Sequence, residues 1–243
     1  MHEWSLLLFT LSLQIAAGGV LSLAVVQYLG GNKASSREIT FFAAVACVGA
    51  SFSLTHLGDM FGAYRALYNF GSSWLSREAW IAGAFAGTTA LCALLAWRGK
   101  RWNALLAVAA LLGLAAVHAS SAVYSGTVME KWTGAGPSAE FFASAFLVGP
   151  FLVALPRLEN RRDVALLGSL GAAGLILLMA GSGFLRGNAY PALTAARFLV
   201  AGIGVVAAVF VLASSRTGKA IAAFAVVCLV LGEGLGRYIF FME

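Results

Sequence analysis

Eight times along this chain, a run of roughly 20 mostly apolar residues, the length a helix needs to cross a bilayer, is bounded by a short polar stretch. The runs lie near residues 5–29, 39–58, 78–97, 102–124, 139–156, 164–185, 194–213 and 220–241. They are continuously apolar rather than alternating, which is the pattern of spanning helices and not of barrel strands. The pattern predicts an all-α, polytopic integral membrane bundle of eight transmembrane helices. Together the runs use most of the 243 residues, so a single membrane domain over 1–243 is expected, with no length left for a soluble one. The opening MHEW brings no basic segment, and the first run is too long for a cleaved signal peptide; it is expected to stay as the first helix. Glycine and alanine crowd several runs, as in IAAGG, GLAAVHASSA and GSLGAAG, which favours close helix approach.

Composition agrees: 60% of the residues are hydrophobic, 11% are charged and the mean hydropathy is +0.87, far from an ordinary soluble domain. The net charge of +6 matters through its distribution. Connections after the first, third, fifth and seventh runs hold Lys33 and Arg37; Arg98, Lys100 and Arg101; Arg157, Arg161 and Arg162; Arg216 and Lys219. That is ten of the 16 basic residues. By the positive-inside rule these connections face the cytoplasm and both termini face the outer, periplasmic side of a bacterial or archaeal cytoplasmic membrane. The basic excess is a topology signal and does not point to nucleic acid. Cys47, Cys92 and Cys228 fall in separate runs. Iron–sulfur clusters and covalent haem need clustered cysteines, so no such group and no other metal site is expected in this chain.

Ionisable groups inside a bilayer are costly and are functional candidates by default. His56 falls near the outer end of the second run, and His118 at a similar depth in the fourth. Glu78 opens the third run, where an acid either caps the helix and complements its dipole or does chemistry. Glu233 and Arg237, four residues apart in the eighth run, share a helix face and are expected to pair, structurally or functionally. Gln14 and Arg197 complete the set. Most of these lie toward the outer half, beneath two long connections, 59–77 and 125–138, that also bring Asp59, Arg65, Asn69 and several aromatic residues. Apolar walls, aromatic rings and proton acceptors near a lipid edge are what a quinone pocket needs. Quinol oxidation releases protons, so a base such as His56 should assist, with Glu78 or Asp59 relaying the proton outward.

Several segments resemble one family in order along the chain. These are MHEWSLLLFT followed by LQIAAGG, HLG at the end of the second run, RALYN, SSWLSRE, VGPFL and LGEGLGR. The chain is similar to the membrane anchor subunit of dimethyl sulfoxide reductase-type molybdoenzymes. The resemblance implies eight helices and a membrane subunit that oxidises menaquinol or a related quinol. Electrons would pass to a four-cluster ferredoxin-like iron–sulfur subunit and on to a molybdopterin catalytic subunit. The family's functional histidine falls on His56 and its acid on Glu78, while Arg65, Asn69, Gln14, Glu233 and Arg237 stand as candidate quinol-binding residues. The match departs at Met60 and Gly62, where the family carries a proline and an arginine. Other readings remain: a purely structural anchor, a b-type cytochrome subunit with His56 and His118 as haem ligands, or a small transporter.

Overall fold

The structure is a computed structural model that describes residues 3–55, 63–126, 132, 134–181, 190–214 and 219–242. Its main elements are α1 (Glu3–Leu29), α2 (Ser36–Thr55), α3 (Trp74–Trp97), α4 (Asn103–Ser125), α5 (Gly136–Ala154), α6 (Arg161–Gly181), α7 (Pro191–Ala213) and α8 (Lys219–Met242). Short 3₁₀ turns lie at Ala63–Leu67 and Leu155–Arg157. Among the described residues the expected all-α fold stands, with eight helices long and apolar enough to cross a membrane.

Several helices start about a turn before the apolar run does, because capping residues are polar. Ser35 and Glu38 cap α2 reciprocally: Ser35 N donates to Glu38 Oε2 (2.9 Å), and Glu38 N donates to Ser35 Oγ (3.3 Å). Ser73 Oγ accepts from Ser76 N (3.4 Å), so α3 opens at Trp74 rather than at residue 78. Asn160 Oδ1 accepts from Arg162 N and Asp163 N at the start of α6, and Pro191, with φ preset for a helix, opens α7.

The core is built around α1. It packs on α2, α4, α5 and α8, and 72% of its span is buried against 17% for peripheral α6. It crosses α5 closely, so that a Cβ on Gly149 would land on the backbone of Gly18 and Gly19. Pro150 in α5 has no N–H for the Phe146 carbonyl. At that same stretch α6 presents Gly174, whose Cβ would come within 2.8 Å of Phe146 and Leu147 backbone atoms. α6 lies on α5 and α7 lies on α8, while α6 and α7 barely touch each other.

α1 begins and α8 ends on one side of the bundle, the terminal face. The opposite, basic face carries the connections with Lys33, Arg98 and Arg161. Arg157, counted above among the topology-setting charges, is not free there. It is 5% exposed and pairs with Glu38, and its Nε lies 3.9 Å from Asp163 Oδ2. Asp163 Oδ1 in turn accepts from Gly31 N (2.7 Å). This cluster ties the α1–α2 connection to the α5–α6 connection.

Candidate functional site

Among the described residues, two groups of buried polar side chains occupy the half of the bundle nearer the terminal face. The first centres on Glu78, one turn into α3 and 7% exposed. Capping of α3 falls to Ser73, so the carboxylate is free for another partner. That partner is Ser120 on α4, which is fully buried and whose Oγ donates to Glu78 Oε1. The chain leading into α3 is pinned to its first turns: Arg77 Nε donates to Phe70 O (2.9 Å), Arg77 Nη2 to Gly71 O (2.7 Å) and Trp80 Nε1 to Leu67 O (3.1 Å). Arg77 also lies over the Trp74 ring (4.5 Å), and Trp74 meets exposed His118 edge-on at 5.7 Å.

Arg65 and Asn69 belong to this approach rather than to the buried group. Both are exposed. Arg65 leans over the Tyr64 ring (5.9 Å), and the Asn69 carbonyl accepts from Ser72 N and Ser73 N, turning the chain into the cap. His56 and Asp59 lie outside the described residues; His56 is the next residue in sequence after α2.

The second group joins α1, α5, α7 and α8. Arg237 Nη2 reaches Gln14 Oε1 (3.0 Å), Glu140 O (3.1 Å) and Ser144 Oγ (3.1 Å). Its guanidinium stacks on Phe141, 3.8 Å from the ring centroid. Ser144 Oγ donates to Glu233 Oε2 (2.5 Å), and Arg197 Nη1 pairs with Glu140 Oε1 (3.2 Å). Gln14, Glu140, Ser144, Arg197, Glu233 and Arg237 are all under 9% exposed. Gly236 leaves room here, since a Cβ on it would displace the Arg197 guanidinium.

The expected direct pair between Glu233 and Arg237 does not form. The two share a face of α8, but α5 inserts Ser144, which takes one contact from each. Tyr124 on α4 borders the second group. Its ring packs against Phe141 (5.7 Å) and Phe240 (5.2 Å). Sequence reasoning brought Gln14, Arg197, Glu233 and Arg237 forward, and the structure places them together. It missed Glu140, Ser120, Ser144 and Tyr124. Glu140 had a signal, an acid just inside an apolar run; serines and a tyrosine in such runs have none.

Fold and site define a multi-pass membrane protein with ionisable groups buried in one half of its helical bundle. The family described as DMSO reductase anchor subunit (DmsC) matches residues 1–182, and the chain belongs to that family. It is similar to the YnfH polypeptide of anaerobic dimethyl sulfoxide reductase from Escherichia coli (strain K12), 29% identical over 161 residues covering 63% of this chain and 57% of that one. It is also similar to the C subunit of anaerobic dimethyl sulfoxide reductase from the same organism, 32% identical over 165 residues covering 62% and 56%. The alignments thus span little more than half the length of these relatives.

Proposed function

We propose that this chain is the quinol-oxidising membrane anchor of a molybdoenzyme complex. It would take electrons from menaquinol or a related quinol and hand them to an iron–sulfur subunit, which serves a molybdopterin catalytic subunit. The observation that carries the reading is the Glu78 carboxylate. It is buried at the end of α3 nearest the terminal face, released from capping and held by Ser120. A buried carboxylate in a spanning helix is costly and is therefore a functional candidate. Oxidising a quinol removes two electrons and two protons, and the protons need an acceptor with an outlet at the membrane edge. Glu78 holds that position, and His56, next in sequence after α2, supplies the second acceptor. α2 packs on α3, so the helix that precedes His56 and the helix that carries Glu78 are neighbours. Asp59, three residues after His56 in sequence, is the proposed relay to water. The chain itself carries no haem or iron–sulfur cluster in this reading, and its basic face is cytoplasmic, so both termini and the Glu78 end face outward in a cytoplasmic membrane.

The test is Glu78→Gln beside His56→Phe. Glu78→Gln keeps the shape and the Ser120 contact but cannot take a proton. Both variants should assemble with their partners and support acceptor reduction from a soluble dye, which bypasses the anchor. Quinol-dependent turnover should fall by roughly 100- to 10,000-fold, the usual worth of a positioned base. Full quinol turnover in both variants would reduce this chain to a structural anchor.

A further inference from the structure

The two outer helices leave a gap between them. α6 leans on α5 and α7 leans on α8, while α6 and α7 barely touch. Behind the gap lies a cavity of about 170 Å³ walled by α5, α6, α7 and α8. Every lining side chain is apolar, Phe151, Leu167, Val205 and Leu229 among them. The cavity opens outward between Leu175 and Val209, which are 37% and 59% exposed. An apolar hollow that opens to lipid takes in hydrocarbon, because a void forfeits dispersion contacts with its walls.

Depth decides which part of the membrane this is. At about 1.5 Å per residue along α6, the lining begins at Leu167, about 9 Å below Arg161, and ends at Leu175, about 21 Å below it. A hydrocarbon core of about 30 Å under headgroup layers of about 5–7 Å puts one leaflet's acyl chains over that interval when Arg161 lies among the headgroups. Arg161 is seven residues before Gly168 and 14 before Leu175, both in the lining, so it stands on the helix face that forms the wall. The mouth at that end is positively charged. Arg161, Arg162 and Lys219 are exposed there, against the single exposed carboxylate of Glu159 among the described residues of the two flanking connections. Arg157 and Asp163, from the same stretch, are buried in the cluster with Glu38. No described residue forms an ion pair with Arg161, Arg162 or Lys219.

From this geometry we infer that the cleft holds an acyl chain of an anionic phospholipid in the leaflet on the basic side. Its phosphate meets Arg161, with Arg162 and Lys219 adding positive charge. A zwitterionic lipid brings the same chains but no net charge for these cations. A second copy of this chain, related by a two-fold axis along the membrane normal, would set its own basic face at the same level and press like charges together. Bound in the cleft, the lipid joins α7, which packs chiefly on α8, to α5 and α6. The inference is independent of how the chain treats quinols.

The test counts lipids on the purified full chain by native mass spectrometry, with phosphatidylglycerol and phosphatidylcholine as probes. The native chain should hold one phosphatidylglycerol at a concentration at which phosphatidylcholine is not held. Arg161→Gln with Arg162→Gln should weaken that binding roughly 25-fold, at about fivefold per charge. Arg98→Gln with Arg101→Gln removes two charges from the α3–α4 connection, whose helices do not wall the cleft, and should leave binding unchanged. Nothing lies within 4 Å of a Cβ built on Gly168, so Gly168→Phe fills the cleft without striking backbone and should abolish binding. Gly87→Phe on α3, exposed and equally open, should not. Binding unchanged in either Gly168→Phe or the Arg161 and Arg162 variant overturns the site, and so does equal retention of phosphatidylcholine. An equal loss in the Arg98 and Arg101 variant overturns it in favour of diffuse surface charge. Displacement by inorganic phosphate overturns it in favour of a headgroup contact alone, and a dimer that Gly168→Phe breaks gives the cleft to a second copy instead.

Discussion

Ser144 is the smallest side chain in the polar layer and among its most connected. Its hydroxyl proton goes to Glu233, 2.5 Å away, and its oxygen accepts from Arg237. It replaces a direct ion pair within α8 by a bond between helices, so charge on α8 is held by α5. That arrangement was not legible in the sequence. The spacing of Glu233 and Arg237 shows that they share a face, but nothing in FFASAFLVGP says that its serine will meet them. Glu78 was legible as a candidate, yet its two roles separated only when Ser73 proved to be the cap and Ser120 the partner. At this scale the Arg197–Glu140 pair makes the sharpest prediction. Arg197→Leu strands a buried carboxylate, and the loss should be about 3–5 kcal/mol. Glu140→Leu should cost a similar amount, and the double variant should recover most of the loss. Thermal unfolding in detergent reads all three.

Among the helices, hydropathy located the spans because lipid demands long apolar runs. It missed the first turns of α2, α3 and α6, where Ser35, Ser73 and Asn160 satisfy free backbone N–H groups with polar side chains. Helix contacts were legible only as a tendency: IAAGG and VGPFL advertise small residues without saying that Gly18 and Gly149 meet. That meeting sets the distance between α1 and α5, so Gly149→Leu should force the pair apart. The expected loss is about 1–3 kcal/mol, the range for overpacking, seen as a lower melting temperature. Gly202→Leu is the comparison. Its Cβ meets nothing within 4 Å, and its effect should stay within about 0.5 kcal/mol.

For the whole molecule, the proposed orientation follows from charge asymmetry and is open to direct measurement. In a protein with Cys47, which is exposed, replaced by serine, Trp4→Cys should react with a membrane-impermeant maleimide in intact cells. Lys100→Cys should react only after the cells are opened; the reverse pattern would invert the bundle. The ionic cluster at the basic face bears on how such a bundle is made. Glu38 meets Arg157 across 119 residues of sequence, and Asp163 follows six positions later. A ribosome adding about 5–20 residues per second takes roughly 6–24 s to cover that interval. For much of that time the α1–α2 hairpin is complete while its carboxylate lacks the cation that will neutralise it. The first hairpin must therefore wait at the membrane surface with Glu38 still in water. Only when the end of α5 emerges can the two halves lock, so the order of synthesis is written into which residues hold the fold shut.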